Sequence, residues 1–238
     1  MRLDKYLVST GKLSRSEAGR AARGGRITVG GIVEKHADRQ IDPDVDVVTL
    51  DGEPIVYRAY TYLLLNKPEG VVSATEDGRD KTVLDLLPDE LQRLGLFPCG
   101  RLDKYTTGLV LLTNNGPLGH RLLSPRHHVE KRYRFTCREP LSAENCQLLE
   151  AGVTLEDGYV TKPARIYAGE DGRSGEIVLI EGKYHQIKRM LEAVDNKIVT
   201  LERISFGALT LDGTPRGAWR YLTDEEIAAL ERAEGGSL

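Results

Sequence analysis

The spacing of apolar residues near the start of the chain predicts two short helices. Leu3, Tyr6 and Leu7 recur at helical spacing, which predicts a short amphipathic helix that ends before a glycine. Ser14 is followed three residues later by Glu17, and this pair is the signature of a capping box. The second predicted helix therefore starts at this serine and stops at the glycine pair that follows ten residues later.

Short strands separated by glycine turns follow the two helices. Residues 26–34 place a Gly-Gly pair between two apolar runs, which predicts a hairpin, and residues 46–50 predict one further strand. Residues 54–60 are mixed in character and predict a linker, because the apolar runs become longer after it. The expected organisation is a small domain over residues 1–57, a larger domain over residues 58–234 and a flexible tail over residues 235–238.

The number of strand-like segments beside the helix-like ones in the larger part supports an α+β fold. A second capping box, Thr223 with Glu226, predicts a final helix. The other predicted elements are strands over 62–65, 109–113, 131–134, 175–180, 204–211 and 219–222, and helices over 82–87, 118–123, 143–150 and from near residue 185.

The amino-acid composition limits the classes of protein to which the chain can belong. Charged residues make up 29% of the 238 positions and hydrophobic residues 40%, which is ordinary for a globular protein. The apolar runs have the length of strands and are too short to cross a membrane, and the first residues lack an apolar signal core. Three cysteines without metal-like spacing fit reduced thiols. We therefore expect a cytoplasmic protein.

The charge is unevenly distributed, although the net value is only −3. Residues 1–26 contain seven Arg or Lys against two acids, a net charge of +5, whereas residues 41–53 are rich in acids. A charge run is usually a solvated helix face, but a one-sided basic face also suits contact with phosphates. The pattern favours RNA as a partner.

The stretch with the clearest chemistry covers residues 100–109, Gly-Arg-Leu-Asp-Lys-Tyr-Thr-Thr-Gly-Leu. Gly100 and Gly108 allow sharp turns on both sides of Asp103, because glycine tolerates backbone angles that other residues resist. Arg101 and Lys104 place positive charge nearby, which favours an ionised carboxylate and an anionic substrate. Taken alone, Asp103 could equally serve only to form an Asx-turn.

The run Gly-Arg-Leu-Asp-x-x-Thr-x-Gly-Leu resembles the catalytic loop of pseudouridine synthases in the RsuA and RluA branch. The resemblance implies that Asp103 is the nucleophile and that Arg101 contacts the substrate. A leucine-rich strand followed by Asn-Lys-Pro-x-Gly also resembles this family, where it opens the catalytic domain beside the active cleft. Lys67 in that element is either a site residue or a plain turn lysine.

Two further motifs match the family in the same order. The family has Lys-x-Tyr at the start of a strand, where the Tyr packs against the target base, and Lys131 with Tyr133 matches it; a strand Tyr that only packs in the core is the alternative. Arg126 and Lys131 stand in a basic run against the lone acid Glu130, and both are candidate RNA contacts. Adjacent histidines at 127 and 128 have no third ligand at suitable spacing, so we expect no metal.

The segment Glu-Gly-Lys-Tyr-His-Gln-Ile-Lys-Arg-Met resembles the third family motif. There a basic residue after His-Gln-x pairs with the catalytic aspartate, and Lys188 matches that position. Arg189 stands beside it, either as a phosphate contact or as a second basic residue that could take the place of Lys188. Without the resemblance, the two residues would be an ordinary solvated helix face.

The amino-terminal segment resembles an S-four type RNA-binding domain. In such domains the arginine-bearing helix and its adjoining loop face the RNA, where phosphate contacts position the protein without reading sequence. The residues that this resemblance nominates as phosphate contacts are Arg2, Lys5, Arg15, Arg20, Arg23 and Arg26.

Together the resemblances imply an S-four-like domain followed by a catalytic domain with a mixed, mainly antiparallel sheet. The implied activity is isomerisation of a uridine to pseudouridine in small-subunit (16S) rRNA, without a metal or organic cofactor, by a monomer that binds rRNA or a ribosomal assembly intermediate. Large-subunit rRNA is the alternative target. A non-catalytic rRNA-binding or assembly factor is the alternative class, and a phosphoryl-transfer enzyme is remote because no Asp-rich Mg²⁺ site is present in the sequence.

Overall fold

A computed structural model of the chain describes residues 1–124, 127 and 129–232. The predicted contact Arg126 and the predicted tail at residues 235–238 lie outside these residues. The helices of the described part are α1 (Leu3–Val8), α2 (Arg15–Arg23), α3 (Asp89–Gln92), α4 (Gly116–Leu123), α5 (Ala143–Ala151), α6 (Gln186–Glu192), α7 (Asp224–Arg232) and a 3₁₀ helix at Leu84–Leu86. Its strands are β1 (Ile27–Val29), β2 (Ile32–Val33), β3 (Val48–Leu50), β4 (Glu53–Ile55), β5 (Tyr62–Lys67), β6 (Phe97–Cys99), β7 (Thr107–Thr113), β8 (Lys131–Cys137), β9 (Arg165–Ala168), β10 (Ser174–Leu179), β11 (Ile198–Phe206), β12 (Leu209–Thr210) and β13 (Trp219–Tyr221).

The first of two structural units comprises residues 1–61 together with 84–96. Its four strands form an antiparallel sheet in the order β2-β1-β3-β4. The capping box predicted at Ser14 is confirmed, since its side chain accepts from the Glu17 N–H and the Glu17 carboxylate accepts from the Ser14 N–H. The predicted hairpin is also confirmed. The apolar faces of α1 and α2 are buried in a core with β1 and β3.

Two parts of this unit differ from the sequence expectations. Pro54 lies in β4, where a linker was predicted, and the strand accommodates it because β4 is at the edge of the sheet. Residues 84–96 also belong to the unit, although the predicted small domain ends at residue 57. Gly11, with φ +73°, lies against this segment so closely that a Cβ would approach the Glu90 carbonyl oxygen to 1.8 Å.

The second unit comprises residues 62–83 and the chain from residue 97 onward. Its described strands form a sheet in the order β13-β5-β7-β11-β8-β10-β9, with β12 added to β11 and β6 added to β7. All its described pairs are antiparallel except β7 with β11, which is parallel. The predicted α+β class with a mixed, mainly antiparallel sheet is confirmed.

The main differences in this unit concern element boundaries. The strand predicted over 204–211 begins much earlier, at Ile198, and is broken into a β11–β12 hairpin at Gly207, whose φ is +55°. Residues 82–87 form a single 3₁₀ turn instead of a helix, and the short strand β6 was not predicted. None of the helices in the described part of the chain is long and apolar enough to span a membrane.

The parallel pair depends on a glycine at the contact point. Gly108 of β7 lies opposite Arg203 of β11, has φ +104°, and leaves so little room that a Cβ would lie 2.2 Å from the Arg203 carbonyl oxygen. A side chain here would therefore both strain the backbone and push the two strands apart.

We predict that Gly108→Ala lowers the free energy of unfolding by about 2–4 kcal/mol, because backbone strain and overpacking act together. Gly116→Ala in the first turn of α4 is the matched control, since its Cβ would meet nothing within 4 Å and its φ is ordinary. Chemical denaturation of both variants measures the difference. Equal stabilities would show that the close strand approach does not constrain residue 108.

Candidate active site

Asp103 lies in the loop that joins β6 to β7. The two turns predicted around it are present, since Gly100 has φ +83° and Gly108 has φ +104°. Between them, the Leu102 side chain is buried and its peptide exchanges two hydrogen bonds with the Ser73 hydroxyl, which accepts from the Leu102 N–H and donates to the Leu102 carbonyl, each at 3.1 Å. Ser73 thus holds the loop at Leu102, the residue before Asp103.

Lys67, at the end of β5, supports the same loop from inside the protein. Its side chain is fully buried, and Nζ donates to the carbonyl oxygens of Pro68 at 3.0 Å and Lys104 at 3.1 Å. The Lys104 carbonyl also accepts from the Gly70 N–H. Burial lowers the pKa of Lys67 to about 8, against the attraction of the Asp103 carboxylate. These contacts make Lys67 a support of the loop backbone.

Two side chains of the segment Glu-Gly-Lys-Tyr-His-Gln-Ile-Lys-Arg-Met lie against the Asp103 carboxylate. Lys188 Nζ lies 2.7 Å from Oδ2, and His185 Nε2 lies 3.6 Å from Oδ1. About a quarter of the Asp103 side chain remains exposed, so the ion pair is partly shielded from water while the carboxylate stays accessible. The structure therefore brings together Asp103 and Lys188, which lie far apart in the sequence.

His185 is a site residue that sequence reasoning did not single out. It precedes α6 in a left-handed conformation with φ +50°, which is uncommon for a residue with a side chain. Its ring stacks on the ring of Tyr184, with 3.8 Å between centroids, and Tyr184 is largely exposed. No local signal in the sequence identifies this conformation, because it is imposed by the turn that enters the helix.

The turn before α6 is fastened by Gln186, which is buried. Gln186 Oε1 accepts from the Lys183 N–H at 2.8 Å, and Gln186 Nε2 donates to Glu181 Oε1 at 2.6 Å. The other Glu181 oxygen accepts from the Tyr159 hydroxyl at 2.7 Å. This network fixes both ends of the turn that carries His185.

Tyr133 completes one wall of the cleft above Asp103. It is buried on β8, opposite Arg203 of β11, and Arg203 in turn lies opposite Gly108 of β7. The cleft has a volume of about 610 Å³, within the range of small-ligand sites. Its lining includes Val72, Arg101, Asp103, Tyr133, His185 and Lys188.

The other residues of this unit that were predicted to contact substrate or RNA differ in exposure. Arg101 is exposed at the cleft, whereas Arg189 forms an ion pair with Asp157 at 2.7 Å. Lys131 is buried; its Nζ donates to the Val129 carbonyl at 2.7 Å, and burial lowers its pKa to about 8. Lys131 is therefore an interior residue in this structure rather than a surface cation.

All six basic residues nominated in the first unit are exposed: Arg2, Lys5, Arg15, Arg20, Arg23 and Arg26. Two of them form ion pairs within the unit, Arg2 with Asp4 and Arg26 with Asp51. Within the described ranges, no cluster of three or more His, Cys, Asp or Glu side chains could hold a metal ion.

Comparisons with known proteins agree with this geometry. Residues 61–193 match the family model for RNA pseudouridylate synthase, and residues 1–47 match that for the S4 domain. The chain is 44% identical to the "uncharacterized RNA pseudouridine synthase YtzG" of Bacillus subtilis, over 98% of this chain and 100% of that protein. It is 41% identical to the ribosomal small subunit pseudouridine synthase A of Escherichia coli, over 97% and 100%. A crystal structure of a pseudouridylate synthase superposes with a TM-score of 0.68 at 34% identity, covering 97% of this chain and 99% of that one.

The buried position of Lys67 predicts a pH-dependent stability. Its pKa is about 8 in the folded protein against 10.5 ordinarily, so between these values the unfolded chain binds more protons and stability rises with pH. The unfolding free energy of wild type minus that of Lys67→Met should therefore increase from neutral pH to about pH 10, by at most about 3 kcal/mol. Urea denaturation across this range measures it. A difference that is flat with pH would contradict the lowered pKa.

Proposed function

The chain belongs to the RNA pseudouridylate synthase family, and from that premise we propose that it converts one uridine of small-subunit rRNA to pseudouridine with Asp103 as the attacking carboxylate. The observation that carries the assignment of Asp103 is its ion pair with Lys188 in a cleft walled by Tyr133. The same cleft is lined by residues 100–104 of the motif loop.

Lys188 acts on Asp103 as a positioning residue. An ammonium 2.7 Å from the carboxylate fixes the direction of one oxygen. The carboxylate is then held in one orientation for attack, while Ser73 and Lys67 hold the backbone of its loop in place.

The reaction moves the ribose C1′ from N1 to C5 of the same uracil. In one course, an Asp103 oxygen bonds to C1′ as the C1′–N1 bond breaks and its electron pair stays on the uracil. The uracil turns, C5 supplies the pair for the new C1′–C5 bond, and Asp103 departs with its own pair; the C5 proton then passes to a base and N1 takes up a proton. In the other course, Asp103 first adds to C6 of uracil and the C5=C6 pair moves toward O4. The C1′–N1 bond breaks with its pair on N1, and C5 bonds to C1′. Loss of the C5 proton then expels Asp103 from C6 and restores the C5=C6 bond, while N1 takes up a proton.

In this proposal Tyr133 packs against the uracil ring and is a candidate for proton removal. The uridine must leave its stack to enter the cleft, which costs a few kcal/mol. Contacts elsewhere on the RNA offset this cost, and Arg101, exposed at the rim of the cleft, is a candidate for one of them.

The S4 domain supplies further RNA contacts in this proposal. Its exposed arginines and Lys5 suit phosphate binding, which strengthens affinity without selecting a sequence. The partner is rRNA or a ribosomal assembly intermediate. The small subunit is the favoured source because several relatives matched over nearly their full length are named ribosomal small subunit pseudouridine synthase A.

Asp103→Asn should abolish conversion while leaving RNA binding intact, because the amide keeps the shape but is not a nucleophile. The expected loss of single-turnover rate is at least about 10⁴-fold. Tritium release from RNA labelled at carbon 5 of uridine measures turnover, and filter binding measures affinity. The control is Asp171→Asn, an exposed carboxylate in the β9–β10 turn that should keep wild-type turnover.

The same assay tests the proposal as a whole. Wild-type protein that releases no tritium from rRNA transcripts or assembly intermediates of either subunit would refute it. Mapping pseudouridines in rRNA from cells that lack the protein identifies the target: one site missing from 16S rRNA is expected, and a site missing only from large-subunit rRNA would move the assignment to that subunit.

Replacing Arg15, Arg20 and Arg23 together by Gln should weaken RNA binding and leave the rate at saturating RNA unchanged. If each contacts one phosphate, the slope of log affinity against log salt should become shallower by about 2–3, at 0.7–0.9 per contact. The matched control replaces Arg138, Arg173 and Lys197, three exposed cations of the other unit. Equal effects of both triple changes would show that net charge, not this helix, governs binding.

A further inference from the structure

Two buried cations, Lys131 and Arg203, lie next to Tyr133 and take no part in the ion pair at Asp103. Arg203 on β11 is only 1% exposed, and its Nε donates to the Leu109 carbonyl at 2.7 Å. Its Nη2 is buried and has no hydrogen-bond partner among the described residues. Lys131 on β8 is 9% exposed and uses one N–H on the Val129 carbonyl. Both side chains lie over the ring of Phe206.

These two side chains line a second cavity of about 200 Å³ beside the cleft. The cavity and the cleft share Gly100, Arg101, Tyr133 and Glu181 among their lining residues, so they adjoin along the Tyr133 wall. The volume is several times that of a water molecule, about 30 Å³, and is sufficient for a pyrimidine ring.

The cavity has an excess of positive charge. Its one lining carboxylate within the described residues is Glu181, and both oxygens of Glu181 are already engaged, by Tyr159, Gln186 and the Lys162 N–H. The pKa of Lys131 is lowered to about 8 first by burial and then by repulsion from Arg203. Two buried cations without a dedicated carboxylate are costly to fold, and an anion that arrives during function would relieve that cost.

We infer that the uracil ring reaches from the cleft into this adjoining cavity during the reaction, where Lys131 and Arg203 form a subsite that stabilises its negative charge. This inference rests on the proposed function. In the first course of the reaction, cleavage of C1′–N1 leaves the electron pair on the uracil, whose charge spreads over N1, O2 and O4. In the second course, addition of Asp103 to C6 places charge on O4. Both courses need cationic donors at the carbonyl edge of the ring.

Binding of an anionic base tests the subsite without RNA. 5-Nitrouracil is ionised at neutral pH because its nitro group acidifies the ring N–H, whereas uracil is neutral. By titration calorimetry, the wild-type protein should bind 5-nitrouracil about tenfold or more tightly than uracil, the scale of one charged hydrogen bond. Lys131→Met and Arg203→Gln should each remove most of that preference.

Matched variants separate charge from folding. Lys131→Arg and Arg203→Lys keep the cation and should retain part of the preference, which a purely structural role would not produce. Arg134→Met, on the same strand but exposed and paired with Glu176, should retain all of it. Inorganic phosphate is the competing anion: if phosphate binds in a Lys131-dependent manner and 5-nitrouracil does not, the inference is wrong.

Turnover provides an independent readout. Lys131→Met should lower the single-turnover rate on uridine RNA by about 10²-fold or more. On 5-fluorouridine RNA, whose C5 has no proton to lose, the measured rate is that of C1′–N1 cleavage, seen by mass spectrometry as a rearranged base or a covalent adduct. That rate should fall by at least tenfold less, because fluorine itself stabilises the ring anion. Equal losses on both RNAs would overturn the inference. If the anion preference is present and depends on Lys131, but wild type makes no pseudouridine in any rRNA, the proposed function fails and the anion subsite stands.

Discussion

The parallel contact between β7 and β11 determines where the chemistry is assembled. Because the two strands run in the same direction, the segments that precede them reach the same edge of the sheet. One of these segments is the loop that carries Asp103, and the other contains α6 with Lys188. Gly108 allows β7 and β11 to approach closely enough to pair. Without this pairing, the segments that carry the Asp103 carboxylate and the Lys188 ammonium would not be held side by side.

Four cations lie at different depths in and beside the cleft that contains Asp103. Lys188 contacts Asp103 directly, Lys67 donates to the backbone of its loop, and Lys131 and Arg203 line the adjoining cavity. Burial distinguishes them electrostatically, since it lowers the pKa of Lys67 and Lys131 to about 8. One of these cations therefore pairs with Asp103 and one supports its loop. The other two, in our inference, stabilise negative charge on the base.

Local signals predicted the elements that depend on local physics. The capping boxes at Ser14 and Thr223, the turn glycines around Asp103 and the buried strand β5 are present because capping, backbone freedom and continuous burial are each visible in a few residues. Pairing of Lys188 with Asp103 was suggested only by family resemblance, since no periodicity relates segments that far apart.

The residues that were missed depend on tertiary structure. Arg203 sits in Leu-Glu-Arg-Ile, which looks like an ordinary alternating strand, and its burial follows from neighbours contributed by β7 and β8. Lys131 was nominated as an RNA contact because it stands in a basic run, yet it is turned into the interior. His185 required a left-handed backbone that a single sequence does not reveal.

Residues 84–96 limit where the chain can be cut into parts that fold separately. It returns to the first unit after β5 has already begun the second, so the polypeptide passes from one to the other three times. A fragment that starts at residue 62 would still contain Glu90 and Leu94 but would lack Gly11, against which they lie. No single proteolytic cut or gene boundary frees the first unit intact, and recombination that exchanges this unit must replace two separate stretches of coding sequence together.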